Sequence, residues 1–194
     1  MRILFLIALA GVVLAGCSKK PMEVDRITPI KSTSGSTETD VYASRRKAGE
    51  KVPELAGDQI VPIRTYVANS DGFGIGDEIA GAKCNVNARD FSADVITPAK
   101  VRLPNYRMQS SAISVRCSKA GYKTRTVDHS VYNQTKNDRL NMGAQAGLLG
   151  VLAVVAINAV SDEKTHDYKY PVLKVVLVPL PETGRKKGRL AEKL

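Results

Sequence analysis

The chain has 194 residues, of which 43% are hydrophobic and 25% charged, the balance of a globular protein of about one domain. Its formal net charge of +10 favours anionic partners such as nucleic acid, anionic lipid or acidic glycans. The chain contains no Trp and only 5% aromatic residues, which disfavours a base-stacking surface, and we expect no nucleic-acid partner.

The first 17 residues have the pattern of an export leader. Arg2 provides a short positive start, and residues 3–14 form an apolar run that is too short to span a bilayer. The run ends in Leu-Ala-Gly-Cys at positions 14–17. This tetrapeptide resembles the lipobox of bacterial lipoproteins. The resemblance implies that residues 1–16 are a signal peptide and that Cys17 is the lipid attachment site.

In that family the cysteine thiol is alkylated with diacylglycerol, and the new amine is acylated with a fatty acid such as palmitate. Each buried CH₂ contributes about 0.8 kcal/mol, so several acyl chains hold a protein on the membrane durably. Ser18 follows the cysteine in place of the Asp that favours inner-membrane retention. The resemblance therefore implies a protein in the inner leaflet of the bacterial outer membrane, facing the periplasm, with no cofactor besides the covalent lipid on Cys17.

Residues 17–57 have the composition of a lipidated flexible tether. Residues 32–37 read Ser-Thr-Ser-Gly-Ser-Thr, and apolar residues in the segment are sparse and unpatterned. Such a sequence buries too little apolar surface to offset the entropy of ordering the chain. We expect a disordered spacer between the membrane and the domain.

Residues 58–179 are predicted to form the domain. The run at 60–67 is rich in β-branched residues, and Pro62 within it indicates an edge strand or a strand start. A glycine-rich turn at 69–77 is not followed by a helical pattern, which argues against a dinucleotide site. Further short strands are predicted at 82–88, 91–96, 99–103 and 112–117. The predicted core residues are Val86, Val95, Val101, Leu103, Ile113 and Val115.

Short strands spaced about ten residues apart predict an antiparallel sandwich or barrel-like sheet. Three motifs in this region, Gly81-Ala82-x-Cys84, Thr97-Pro98 and Lys119-x-Gly121-Tyr122, resemble the skeleton of PEGA-type domains. The chain departs from that pattern in having Ile79-Ala80 for Pro-Glu and Cys84 for Val. The resemblance implies a small β-sandwich module of the bacterial envelope without catalytic activity.

Cys84 and Cys117 remain when Cys17 is assigned to the lipid. An even pair in an exported chain predicts a disulfide, and closing a loop of this size contributes about 3–4 kcal/mol in the chain-entropy model. A redox-active pair, the alternative, normally has the spacing Cys-x-x-Cys. His129 and His166 lie outside metal-ligand spacing from either cysteine, so we expect surface histidines and no metal site.

A glycine-rich apolar helix is predicted at about 138–160, with Asn137 as its N-cap. Residues 146–157 contain no polar side chain. Three hypotheses are open: a transmembrane span, a helix buried against the sheet, and an exposed helix that docks on a partner or the membrane. We expect the buried helix. If the helix is an interaction surface, the residues concerned are Gly143, Gly147, Gly150, Leu149 and Leu152.

A final strand pattern at 170–178 is expected to return to the sheet beside the first strand or the cysteine strands. The helix is then an insertion between strands, and residues 180–194 form a basic tail. The predicted fold class is thus α+β and mainly β: a small antiparallel sandwich with one inserted helix, preceded by a signal peptide and a tether.

No acid, base or nucleophile stands in a catalytic pattern, so we expect a non-enzymatic protein. The predicted function is that of a lipid-anchored structural or interaction module of the envelope, with an envelope protein as partner. The alternative is a binding module for an anionic polymer, peptidoglycan or lipopolysaccharide, which rests on the basic charge of the chain.

Overall fold

The structure, a computed structural model, describes residues 20–33, 39–69 and 74–181. The strands are β1 (Ile27–Thr28), β2 (Lys31–Ser32), β3 (Gly57–Ala68), β4 (Ile75–Ile79), β5 (Lys83–Asn87), β6 (Phe91–Ile96), β7 (Ala99–Asn105), β8 (Ile113–Ser118), β9 (Arg125–His129), β10 (Tyr132–Asn133), β11 (Tyr168–Lys169) and β12 (Leu173–Leu177). The α-helices are α1 (Ala43–Lys47), α2 (Gln134–Gln145) and α3 (Gly147–Val160), and short 3₁₀ turns lie at Arg107–Gln109 and Glu163–Thr165.

Two five-stranded sheets form a sandwich. The first has the order β1-β7-β3-β12, with β4 also paired to β3, and the second has the order β2-β6-β5-β8-β9. Strand β8 shows how the sequence produces the two layers, because Ile113, Val115 and Cys117 are buried while the alternate residues are more exposed. The predicted mainly β fold is confirmed.

The predicted strands and core agree with the structure. All six predicted core residues are buried between the sheets. The C-terminal strand β12 runs parallel to β3, with Leu173 opposite Ile63, so it returns beside the first predicted strand. Pro62 lies inside β3, where β7 borders one side and pairing with β12 begins only at Ile63. The prediction of an edge strand or a strand start is therefore wrong, since β3 is an inner strand, but the side of β3 toward β12 is unpaired at Pro62, where a residue without an N–H is tolerated.

The predicted tether is the first correction. The described parts of residues 20–56 are attached to the sandwich at several points: β1 pairs with β7, β2 pairs with β6, and Ile30 is a core residue with 1% exposure. Residues 17–19 and 34–38, which complete the predicted tether, lie outside the described residues. The prediction was wrong because it counted apolar residues, whereas strand pairing and polar contacts supply much of the ordering here.

Asp40 shows those polar contacts. The hydroxyl of Tyr106 donates to its carboxylate at 2.9 Å, Arg46 donates at 2.7 Å, and the N–H of Val41 donates to the Tyr106 hydroxyl at 3.0 Å. Burial alone would raise the pKa of Asp40, but the hydrogen bonds from Arg46 and Tyr106 outweigh it and hold the pKa below its ordinary value. This network attaches the segment before β3 to the end of β7.

The helical insertion is the second correction. The single helix predicted at 138–160 is two helices, α2 and α3, that form an antiparallel hairpin broken at Ala146. Gly147 begins α3 with φ of +75°, a left-handed conformation that favours glycine and reverses the chain. The N-cap is Asn133, whose side chain accepts the Lys136 N–H at 2.9 Å, and not Asn137. Among the described residues, no helix has both the length and the apolarity that crossing a membrane requires.

Candidate interaction site

The hairpin is held together by glycine contacts between α2 and α3. A Cβ on Gly143 would lie 2.7 Å from Val154 Cγ2 and 2.9 Å from the Gly150 carbonyl oxygen, and a Cβ on Gly150 would lie closer still to the Gly143 carbonyl oxygen. Gly147 has no neighbour within 4 Å of such a Cβ and serves the turn instead. Two of the three glycines predicted as interaction residues, Gly143 and Gly150, therefore make the contact within the hairpin.

The outward face of α3 is entirely apolar. Gly150, Val151, Val154 and Asn158 are the less exposed residues of α3, and Asn158, its only polar residue, accepts from Arg139 of α2 at 3.1 Å. The other residues of α3 cover about 200° of the helix circumference at 3.6 residues per turn. Leu148 is 76% exposed, Leu149 80% and Val160 86%, the largest values among the large hydrophobic residues of the hairpin.

The expectation that this helix is buried against the sheet is therefore wrong. Leu149 and Leu152, predicted as candidate interaction residues, are both exposed. The hairpin meets the rest of the domain at its base: α2 contacts β11, and β10 pairs with β11. A long apolar run in a sequence indicates a surface that is buried against another surface. It does not indicate whether that surface belongs to the same chain or to a partner.

The base of the hairpin is polar and firmly attached. Asn133 Nδ2 donates to His166 Nδ1 at 2.8 Å and to the Tyr168 hydroxyl at 3.2 Å. Asn105 at the end of β7 donates to the Tyr168 carbonyl at 2.6 Å, and Arg107 donates to the Lys164 carbonyl at 2.8 Å. These bonds fix the hairpin at the end of the sandwich where β3 begins, because Gly57 of β3 lies opposite Asn105.

The predicted surface location of the histidines is corrected at the same time. His166 is 2% exposed, and His129 on β9 is partly buried. Burial lowers the pKa of His129, against the opposing effects of Asp128 and a backbone bond with Lys174. Within the part of the chain that the structure describes, no three His, Cys, Asp or Glu residues are grouped so that they could hold a metal ion.

The chain enters the sandwich far from the hairpin. The Met22 N–H donates to Glu78 at 3.1 Å, and Arg64 donates both to the Met22 carbonyl at 3.1 Å and to Glu78 at 2.6 Å. Arg64 lies seven residues along β3 from Gly57, a distance of about 23 Å at the rise of a strand. The N-terminal entry point and the hairpin base are thus well separated along β3.

The predicted disulfide is present. Cys84 on β5 lies directly opposite Cys117 on β8 in the register, with their Cα atoms 4.1 Å apart. Both cysteines are buried between the sheets. A bond in this place ties two neighbouring strands within the core, as expected for a structural disulfide. Cys17, the predicted lipid attachment site, lies outside the described residues.

A groove with a volume of about 750 Å³ lies where the entering segment and the start of β7 meet β5, β6 and β8 of the second sheet. Its wall is the entering segment, with Val24, Arg26 and Thr28. Its polar floor is formed by outward-facing residues of β5, β6 and β8, namely Lys83, Asn85, Asp94, Ile96, Arg116 and Ser118. The lining also includes the buried Cys84 and Val95, and Pro98 and Ala99 at the start of β7. The groove depends on residues 24–28 being ordered, and the prediction of a tether there is the reason that the sequence did not indicate it.

The residues that resemble a PEGA-type pattern lie around the ends of the sandwich. Gly81 and Gly121 have φ of +79° and +82°, and Tyr122 packs against the core and bridges to Pro179 after β12. Comparison of the chain with protein-family models, with curated proteins and with solved structures found no match.

Proposed function

We propose that this protein is a lipid-anchored module of the bacterial envelope that binds a protein partner through the α2–α3 hairpin. In this proposal Cys17 carries the lipid, the outer membrane holds the protein facing the periplasm, and the role is binding rather than catalysis. The observation that carries the proposal is the apolar outward face of α3, because Asn158, the only polar residue among the 14 of this helix, lies on the side toward α2.

The size of the exposed apolar surface supports an interaction. The large exposed apolar residues of the hairpin are Leu140, Met142, Leu148, Leu149, Leu152, Val155, Ile157 and Val160. They expose on the order of 800 Å² together, which is what one partner contributes to a standard protein interface. Monomeric soluble proteins rarely expose contiguous apolar patches larger than a few hundred Å².

The distribution of polarity around the hairpin favours a partner that covers one side. Helix α2 turns a polar stripe of Asn137, Asp138, Asn141 and Gln145 to solvent, while α3 turns only apolar residues outward. A helix about 21 Å long with a wide apolar face fits the surface of another helix or a helical groove. The polar stripe of α2 then remains in water when the complex forms.

The separation between the chain entry and the hairpin supports a protein partner over the anchoring membrane. Cys17 is five residues before Met22, a reach of at most about 18 Å for extended chain. The entry point is therefore held near the lipid surface. The hairpin base lies about 23 Å further along β3, where a partner in the periplasm can reach α3.

The test places a photo-cross-linking amino acid at Leu149 of the full chain in growing cells, with Lys174 on β12 as the control position. We expect Leu149 to cross-link to one discrete protein, Lys174 not to do so, and Leu152→Asp to abolish the product while the melting temperature is unchanged. Cross-links only to lipid would overturn the protein partner in favour of the membrane. A product of twice the chain mass would identify a second copy as the partner.

The anchor is tested separately. Cys17→Ala should leave an uncleaved precursor that a palmitate analogue does not label, whereas Cys84→Ala should still be labelled. Labelling of the Cys17→Ala chain would overturn the lipid attachment without affecting the conclusion about α3.

A further inference from the structure

The groove on the second sheet carries three cationic side chains that the fold leaves available. Arg26 lies on its wall, and Lys83 and Arg116 lie on its floor. Within the described ranges, none of the three forms an ion pair with a carboxylate, unlike Arg45, Arg46, Arg64, Arg102 and Lys136. Because these three side chains take part in no ion pair within the described ranges, their charges are available to bind an anionic group.

The register of the strands sets the spacing of the two floor cations. Lys83 lies opposite Ser118, and Asn85 lies opposite Arg116, so Lys83 and Arg116 are diagonal neighbours on adjacent strands. Diagonal neighbours on one face are about 7–8 Å apart. A guanidinium and an ammonium at this spacing can hold one carboxylate between them or two anionic groups along a chain.

The remaining polar groups of the floor can form hydrogen bonds with the hydroxyl groups of a ligand. Asn85 donates to Asp94 at 2.8 Å, and this pair retains free acceptor and donor positions toward the groove. Ser118 and Thr28 add hydroxyls, and Ile96, which is exposed, adds an apolar surface beside them. A carboxylate such as Asp94 accepts hydrogen bonds from sugar hydroxyls but repels a densely phosphorylated ligand.

We propose that this groove binds a carboxylate-bearing glycan strand, with Arg26, Lys83 and Arg116 at its carboxylates and the Asn85–Asp94 pair at its hydroxyls. The volume of about 750 Å³ accommodates a short stretch of such a strand. The ligand class rests on the proposed location in the envelope, where peptidoglycan is the polymer of this chemistry. The binding surface is separate from the hairpin, so a failure of glycan binding and a failure of partner binding by α3 can be told apart.

The experiment measures binding of the purified full chain to isolated peptidoglycan sacculi by sedimentation over a salt series. The test variant is Lys83→Gln with Arg116→Gln, and the control is Lys169→Gln with Lys174→Gln, which removes the same charge away from the groove. We expect the groove variant to bind about tenfold or more weakly, because it loses charge-assisted hydrogen bonds, and the control to bind like the parent. An equal loss in both variants would show adsorption by net charge and overturn the proposal.

Two further arms test the chemistry of the ligand. Sacculi whose carboxylates have been converted to amides should lose the binding that depends on Lys83 and Arg116; undiminished binding would overturn the carboxylate contact. Lipopolysaccharide micelles present phosphate instead, and a preference for them over sacculi would overturn the assignment to a carboxylate glycan. An Asp94→Asn variant should still bind sacculi, and a gain of lipopolysaccharide binding in it would support the repulsion that we assign to Asp94.

Discussion

The sandwich and the hairpin are built from similar apolar residues, yet they place them in opposite environments. Val115 on β8 is fully buried between two sheets, whereas Val155 on α3 is mostly exposed. In β8 each buried apolar residue alternates with a polar one, so one face of the strand can be covered by the opposite sheet. In α3 apolar residues surround the helix, and the neighbouring helix α2 covers only one side of it. The comparison shows that apolar side chains stabilise the fold only where other residues of the same chain shield them from water.

The largest expected effect is the difference in stability between a Val→Asp substitution in the sandwich and one in the hairpin. Val115→Asp places an unpaired charge in the core and should destabilise the domain by about 4 kcal/mol or more. Val155→Asp adds a charge that water can solvate, and the change should stay within about 0.5 kcal/mol. Urea denaturation followed by circular dichroism measures both. A large loss of stability in Val155→Asp would show that α3 is covered by its own domain.

Removing the disulfide should have the next largest effect on the stability of the sandwich. The double variant Cys84→Ser, Cys117→Ser should lose about 2–5 kcal/mol of stability, as small secreted domains do when a native disulfide is removed. Thermal melts of the parent with and without reductant should show the same decrease. Equal melting temperatures for the oxidised and reduced parent would contradict a stabilising role of the bond.

A smaller effect should be confined to the hairpin. Gly150→Leu forces a side chain against the backbone of Gly143, which cannot shift as a flexible side chain could, and should cost about 1–3 kcal/mol of local stability. Hydrogen exchange should increase in residues 134–160 and stay unchanged in β5 and β8. Ala153→Leu, on the exposed face of α3, is the matched control and should leave exchange in both regions as in the parent.

The smallest expected effect is the pH dependence of the stability of the sandwich. Because burial holds the pKa of His129 below its ordinary value of 6.5, the folded state binds protons less readily than the unfolded state does. The contribution of His129 to stability is full above about pH 6.5 and declines as the pH falls toward the folded pKa. His129→Gln should reduce the slope of melting temperature against pH in this range. An identical slope in parent and variant would remove His129 as the cause.

The hairpin was only partly predictable from the sequence. The run at 146–157, which has no polar side chain, indicated an apolar helical element, and its predicted place between two strands is correct. The division into two helices depends on the positive φ of Gly147, and a stretch containing three glycines does not indicate which of them reverses the chain. The exposure of Leu149 depends on whether other parts of the domain pack against α3, and the local sequence pattern does not indicate this.

The sequence by itself determined the strands of the core and the disulfide. Alternation of apolar and polar residues is a local property, so Ile113, Val115 and Cys117 could be assigned to the buried face before any neighbour was known. Only the tertiary structure decided that the described residues 20–33 and 39–56 join the sandwich, since pairs such as Ile27 with Lys100 and Asp40 with Tyr106 join residues more than 60 positions apart. The groove follows from the same long-range pairing: its wall comes from the start of the chain and its floor from β5, β6 and β8. Long-range contacts of this kind depend on shape and hydrogen bonding between distant segments, and neither is encoded in the periodicity of a single segment.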